Sequence, residues 1–219
     1  MGLRDTTFVS LLLGEAEPKL ASFTDQALAN TVWALATLGH KDAAFMSALL
    51  EVAETKLPSF NAQALANMAW ALATLGYYDA ALMGALLTEA KPRLASFNPQ
   101  DVANTVWALA TLGCRDTTFI GALLREAKVR LSSFTAQQLT NTAWALATLG
   151  HKDTAFMVTL LVAARLELPS FTVAAVRQMG IALAKFNSED AEFKHVLEAR
   201  RTELVGGKEW ALGQRRGTI

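Results

Sequence analysis

Carboxamide side chains recur in this sequence at a spacing that suits molecular recognition. Glutamine stands four positions before asparagine in four segments that advance by 37 residues: Gln26 and Asn30, Gln63 and Asn67, Gln100 and Asn104, Gln137 and Asn141. A carboxamide both donates and accepts hydrogen bonds, so such a row suits the edges of nucleobases or the backbone of an extended peptide. The alternative interpretation is a ladder of amides that bond neighbouring turns of the protein and fix their geometry.

Two rows of basic residues share the same spacing. The first row, interrupted by a tyrosine at position 78, consists of Arg4, Lys41, Arg115 and Lys152. It continues the line of amides, so a phosphate backbone along it would meet regularly spaced positive charges. The second row consists of Lys19, Lys56, Arg93 and Arg130. The preference of basic residues for helix carboxyl ends explains this second row without a ligand, and solvated surface is the alternative for both.

Three positions vary while their surroundings are almost constant. Two flank the amides, and the third lies at a predicted turn: Ala27, Ala64, Asp101, Gln138 and Ala175; Thr31, Met68, Thr105, Thr142 and Met179; His40, Tyr77, Cys114, His151 and Ser188. In modular RNA readers, a few variable side chains in each repeat select one base. The alternative is drift at tolerant surface positions.

The sequence does not predict catalysis or metal binding. His40 and His151 are three 37-residue steps apart, which is about 30 Å if successive helices pack at ordinary distances, so they cannot share a metal. Cys114 is the only cysteine, and no phosphate-binding glycine-rich loop or nucleophile motif is present. We therefore predict that the protein is not an enzyme and uses no metal, no cofactor and no small-molecule substrate.

Two predicted helices position these residues in each 37-residue segment. Helix A is expected from about Asp25 to Leu38, because Thr24 can cap its free N–H groups and Gly39 can end it in a left-handed conformation. Helix B is expected from about Asp42 to Leu57, with the aspartate as its N-cap. Equivalent capping residues return at the same spacing, so the pattern predicts a chain of helical hairpins.

The apolar positions predict where the core lies. Leu28, Val32 and Leu35 share one face of helix A by helical periodicity. Trp33 shares an adjoining face and is also predicted to lie in the core. In this assignment Ala34 and Thr37 belong to the polar face that carries the amides.

The pattern as a whole predicts an all-α fold, a right-handed α-solenoid of stacked helical hairpins with a 37-residue repeat. Residues 1–205 form a single array of one half unit, four clear units and one degenerate unit, and Gly206-Gly207 ends the last helix. Residues 206–219 are predicted to be a flexible basic tail. Because the chain begins in the middle of a unit, we expect it to be a piece of a longer array.

Composition limits the function classes. The chain has 219 residues, of which 52% are hydrophobic, and its 20 basic residues balance its 20 acidic ones. Neutrality argues against a strongly electrostatic nucleic-acid binder, whose domain is usually basic. No apolar run reaches the roughly 20 residues that a membrane span needs, and no targeting peptide is visible, so no membrane partner is predicted.

The segment from Phe97 to Gly113, FNPQDVANTVWALATLG, resembles the signature of the octotricopeptide repeat proteins. The 37-residue period also resembles that of their heptatricopeptide relatives, and the similarity extends over about residues 3–205. The resemblance implies a helical-hairpin solenoid that binds single-stranded RNA in a chloroplast or mitochondrion and acts in RNA stability, processing or translation. The competing expectation is a protein- or peptide-binding scaffold of armadillo-like type, because rows of tryptophan and asparagine resemble the surfaces with which such arrays hold extended peptides.

Overall fold

The computed structural model describes residues 6–186 and 190–216, with side chains for residues 6–186 and 190–206. Within these ranges the chain forms eleven α-helices and no β-strand, so the predicted all-α class is confirmed. Arg4 and Ser188, which the sequence placed in two of the rows, lie outside the described residues. No helix in the part of the chain that the structure describes is both long enough and apolar enough to cross a membrane.

Short helices follow one another along the whole described chain. The helices are α1 Thr6–Ala16, α2 Asp25–Leu38, α3 Ala43–Lys56, α4 Ala62–Leu75, α5 Ala80–Ala90, α6 Pro99–Leu112, α7 Thr117–Lys128, α8 Ala136–Leu149, α9 Thr154–Leu166, α10 Val173–Lys185 and α11 Ala191–Arg216. The A helices are α2, α4, α6, α8 and α10, and the others are B helices. The end of each B helix from α1 to α9 is followed closely by a 3-10 turn: Glu17–Ser22, Leu57–Ser59, Lys91–Ser96, Leu131–Ser133 and Leu168–Ser170.

Local capping chemistry sets the helix ends. The Thr24 side chain accepts a hydrogen bond from the Ala27 N–H at 3.2 Å, and the equivalent residues before the other A helices do the same: Asn61, Asn98, Thr135 and Thr172. Gly39 ends α2 at φ 65°, in the left-handed region that favours glycine. Asp42 caps α3 through the Phe45 N–H. The predicted bounds and caps of these helices are confirmed.

The chain divides into two compact units, residues 1–123 and residues 124–219. In unit 1, α2 packs against α4 and α4 packs against α6. In unit 2, α8 packs against α10, and α10 packs against α11. The predicted apolar face is buried, with Leu28 and Val32 at 0% exposure, and fully buried phenylalanines fill both interiors: Phe45, Phe60, Phe97, Phe134, Phe156, Phe171 and Phe193.

One expectation about a helix end is wrong. The predicted break at Gly206-Gly207 does not occur, because α11 continues through both glycines to Arg216. A glycine inside a helix costs only about 1 kcal/mol relative to alanine, which does not stop a helix by itself. The links from B helices to A helices contain the 3-10 turns, which close with backbone hydrogen bonds such as Phe60 N–H to Leu57 O at 3.0 Å.

Candidate nucleic-acid interface

Four side chains of each A helix in unit 1 share one face, which we call the stripe. In α2 they are Gln26, Asn30, Trp33 and Thr37, whose spacings of four, three and four residues place them on the same side of a helix. The equivalent residues are Gln63, Asn67, Trp70 and Thr74 in α4, and Gln100, Asn104, Trp107 and Thr111 in α6. All of them are exposed or half-buried except Asn104, at 8% exposure.

In α2 and α6 the amides of the stripe pair within the helix. Gln26 donates from Nε2 to Oδ1 of Asn30 at 2.9 Å, and Gln100 donates in the same way to Asn104 at 2.7 Å. Each bond occupies an asparagine oxygen and leaves the asparagine NH2 group as the donor of the pair. The predicted amide row is therefore present in unit 1, and its donors suit carbonyl or ring-nitrogen acceptors of a ligand.

Unit 2 uses the same chemistry to join helices. Gln178 of α10 donates from Nε2 to Oδ1 of Asn141 in α8 at 3.1 Å. This bond is the kind of contact that the alternative interpretation, a ladder of structural amides, predicts. Gln137 and Asn141 line one shallow groove together with Gln178.

The indole rings of unit 1 form a ladder, which the sequence analysis did not anticipate. The ring centroids of Trp33 and Trp70 are 6.4 Å apart at an interplanar angle of 36°, and those of Trp70 and Trp107 have the same separation and angle. These values lie within the range of favourable aromatic pairs. Trp33 is 43% exposed, so the prediction that this residue lies in the core is wrong.

Helical geometry explains the misplaced tryptophan. Trp33 stands seven residues after Gln26, which is almost two full turns, so the two side chains point the same way. The alanines that the sequence analysis assigned to the polar face lie at its edge instead, and Ala71 and Ala108 are fully buried. The signal was present in the spacing, but the size of the indole favoured an interior assignment.

The first row of cations lies at the turns that follow the A helices. Lys41 and Arg115 of unit 1 are exposed, and neither forms a hydrogen bond or an ion pair with the described residues. A Cβ atom placed on Gly76 would lie 4.0 Å from Lys41 Nζ, so this ammonium reaches the carboxyl end of α4. It therefore lies where the helix dipole is negative, near the end of the stripe.

Unit 2 separates the two predicted groups. Lys152 is exposed and lines a groove with Arg165 and Asp190. Asn141 belongs to the different groove that it shares with Gln178. The expected neighbourhood of amide and cation is therefore not a single groove in this unit.

The second row of cations has a structural use. Lys56 donates from Nζ to the carbonyl oxygens of Ala21 and Phe23 at 2.8 and 2.6 Å. Arg93 donates from Nη2 to the Pro58 carbonyl at 2.6 Å. These bonds span 33 to 35 residues and tie α3 and the 3-10 turn Lys91–Ser96 to the preceding 3-10 turns. Arg93 and Arg130 also donate to the carbonyl oxygens of Glu89 and Glu126 in the B helices that precede them, as the preference for helix carboxyl ends predicts. The row is therefore explained without a ligand.

Two of the three variable positions are not available to select bases. At the first, Asp101 and Gln138 complete capping boxes, in which each side chain accepts a hydrogen bond from the N–H of its own N-cap residue. At the second, every described residue except Thr31 is buried, with Met68, Thr142 and Met179 at 0% exposure. At the third, the turn, all four described members are half-buried: His40, Tyr77, Cys114 and His151.

Among the titratable groups of the described residues, the Asp101 carboxyl has a raised pKa. No cluster of three or more histidine, cysteine, aspartate or glutamate side chains could hold a metal among the described residues. Burial raises the pKa of the Asp101 carboxyl, and the hydrogen bond from the Asn98 N–H partly offsets this increase. That carboxyl lies inside a helix cap, so its shifted pKa belongs to a structural group.

Comparison with known proteins identifies the family of the chain. The family model described as Tbc2 translation factor, N-terminal domain, matches residues 38–187. The matched range includes α4, α6 and α8 with their amides, indoles and capping residues. No curated protein matches the chain. Since the match covers more than half of the sequence, the chain belongs to the family of the Tbc2 translation factor N-terminal domain.

Proposed function

We propose that this chain is a sequence-selective single-stranded RNA-binding protein that acts in organellar RNA stability, processing or translation. Membership in a family named for a translation factor supports the translational role. The resemblance of Phe97–Gly113 to the octotricopeptide signature supports both the RNA ligand and a chloroplast or mitochondrial location. The proposed role is binding alone, without catalysis, cofactor or metal.

The architecture that we propose for this role is a right-handed α-solenoid of stacked hairpins with a 37-residue repeat, spanning residues 1–205 as one array. The recurrence of the helix bounds supports it, since α2, α4, α6 and α8 start at residues 25, 62, 99 and 136. Packing of consecutive A helices against each other within each unit is what such an array requires. In this architecture each A helix offers one stripe to the RNA.

The observation that carries the RNA proposal is the indole ladder bordered by amides. Every nucleobase has a π-face, and stacking of a base on an aromatic side chain is worth about 1–3 kcal/mol. Asn30 and Asn67 stand one turn before Trp33 and Trp70, so a base held by an indole lies within reach of an amide. At about one base for each A helix, the predicted binding residues Gln26, Asn30, Gln63, Asn67, Gln100, Asn104, Gln137 and Asn141 serve four successive nucleotides.

Phosphate contacts come from the first cation row in this proposal. Replacing Lys41, Arg115 and Lys152 together with alanine should weaken binding to all RNA sequences. It should also reduce the slope of log affinity against log salt by up to about 0.7 for each phosphate that the protein no longer neutralises. The measurement is fluorescence anisotropy with RNA selected from a random pool, at three salt concentrations.

The matched control removes the same charge elsewhere. Lys91, Arg125 and Lys128 are exposed residues of B helices or their 3-10 turns. Their triple alanine variant should retain nearly the original affinity and salt slope. If both triple variants behave alike, the weaker binding reflects net charge only, and the phosphate path is wrong.

The stacking contact has its own test. Trp33→Leu removes the ring at the exposed end of the ladder, so affinity should fall about 5- to 100-fold, as expected when one base loses its stacking partner. Asn30→Ala should change preference at one base position by roughly 1 kcal/mol, the value of a neutral hydrogen bond. An unchanged affinity for Trp33→Leu, with stability preserved, would remove the indoles from the interface.

One observation favours a second function, a peptide-binding scaffold. The 6.4 Å spacing of the indole rings is close to the separation of alternate residues in an extended chain, about 6.6–6.8 Å. Alternate side chains of a bound peptide could therefore match successive tryptophans, with its backbone bonded to the amides. If the chain binds no RNA at low salt but captures a peptide from an extended-peptide library, this function replaces the first.

A further inference from the structure

A groove of about 910 Å³ opens in unit 2 beside the tryptophan that continues the row. Its walls include Trp144 of α8, Arg177 and Ile181 of α10, and Arg200 of α11. Ile181 stands 37 residues after Trp144, at the place where unit 1 has another indole. The smaller side chain therefore leaves space beside Trp144 that the ladder of unit 1 fills with rings.

The two arginines of the groove differ in what they can bind. Arg200 donates from Nη2 to the Pro169 carbonyl at 2.7 Å, and it also pairs with Glu203 at 3.1 Å. Arg177 is exposed and forms no hydrogen bond or ion pair with the described residues. Its guanidinium is therefore the available cation of the groove, and a planar guanidinium suits two-point binding of a phosphate.

We propose that this groove is a pocket for one phosphorylated nucleotide, with the base against Trp144 and the phosphate at Arg177. The combination of an indole, apolar lining residues such as Ile181 and a single available arginine matches the two halves of a nucleotide. The volume lies in the range of ordinary small-ligand sites and leaves room for the sugar. This inference rests on the proposed function, since the nucleotide it binds is one of those that the RNA presents to the A helices.

The test uses free nucleotides as probes of the whole chain. Isothermal titration with AMP, GMP, CMP and UMP should show binding, whereas adenosine and inorganic phosphate alone should bind more weakly because each contacts only half of the pocket. Arg177→Gln should weaken nucleotide binding about tenfold. Ile181→Trp should abolish it, because an indole at this position fills the space beside Trp144. Lys128→Gln is the control of equal charge loss, at an exposed residue of the same unit outside the groove.

The outcomes separate the pocket from the wider RNA proposal. If the chain binds nucleotides and Ile181→Trp removes this binding, the pocket is supported, even if the chain does not bind RNA of several nucleotides. RNA binding without nucleotide binding, unchanged in both groove variants, overturns the pocket and leaves the RNA proposal standing. Sedimentation of the original chain and of Ile181→Trp at several concentrations gives a further check. Self-association that Ile181→Trp abolishes would assign the groove to a second copy of the chain and overturn the nucleotide.

Discussion

The two units share the alternation of A and B helices and the N-caps of the A helices, but their A helices present different surfaces. In unit 1, the indole rings of three successive A helices lie at equal spacing along the stripe. In unit 2, the row passes from Trp144 to Ile181, and a groove takes the place of a ring. The phenylalanine interior and the N-caps of the A helices are alike in both units. The surface of this fold can therefore change at one position while the elements that build it stay the same.

Inside the helices the units differ at two more matched positions. Thr142 of unit 2 donates its hydroxyl to the Gln138 carbonyl at 2.8 Å, whereas the buried hydroxyl of Thr105 in unit 1 has no hydrogen-bond partner. Each unit also has one capping box, completed by Asp101 in unit 1 and by Gln138 in unit 2. Only the first of these side chains can ionise. These differences allow the contribution of each position to be measured against a natural counterpart.

The largest expected effect concerns the ladder itself. Trp70→Ala removes a half-buried ring that contacts two other indoles, so it should lower the free energy of unfolding by about 2–4 kcal/mol. Ile181→Ala, at a position that is 42% exposed, should cost less than about 1 kcal/mol. Urea denaturation of both variants measures the difference. Equal losses would mean that the rings of unit 1 lie side by side without stabilising it.

The sequence predicted the helices well because their ends depend on neighbouring residues. A threonine or asparagine before each A helix and a glycine after the first four are sufficient to fix those bounds. The capping boxes were equally readable, since Asn98 and Asp101, like Thr135 and Gln138, stand three residues apart at a helix start. Asp101 and Gln138 were instead interpreted as base-selecting residues, because the residue type at this position varies between segments.

Other features depend on tertiary contacts that no local pattern records. Lys56 binds the carbonyls of Ala21 and Phe23, and this pairing requires knowing where the preceding 3-10 turn lies. The groove beside Trp144 likewise depends on three helices that meet at one place. The indole ladder was predictable only in part. Its angular position followed from residue spacing, but its exposure depended on how the A helices pack.

A smaller effect is expected from the matched threonines. Thr105→Val replaces a buried hydroxyl that lacks a partner with a methyl group of similar shape, so it should raise the free energy of unfolding by up to about 1 kcal/mol. Thr142→Val removes a formed hydrogen bond and should lower the same quantity by about 1 kcal/mol. Opposite signs in urea denaturation are the expected result. A loss of stability in both variants would show that the Thr105 hydroxyl has a partner in solution.

The smallest expected effect is a dependence on pH that separates the two capping boxes. Asp101 is 3% exposed, and its pKa is raised by burial above the ordinary value of 3.8. The folded state therefore binds the proton more tightly than the unfolded state. Ionisation of this buried carboxyl therefore destabilises the folded state. The destabilisation reaches its full size above the pKa of the folded state and disappears as the pH falls below 3.8.

Asp101→Asn keeps an oxygen that can accept from the Asn98 N–H but removes the ionisation. Relative to this variant, the original chain should become more stable as the pH is lowered from 7 toward 4, by a small amount because the hydrogen bond from the Asn98 N–H partly offsets the effect of burial. Gln138→Glu places a carboxylate at the equivalent, half-buried position, where the helix start stabilises its charge, so its stability relative to the original chain should instead increase with pH. The other carboxylates cancel in both comparisons because the chains share them. Urea denaturation at several pH values gives the two slopes, and slopes of the same sign would show that burial does not distinguish the two caps.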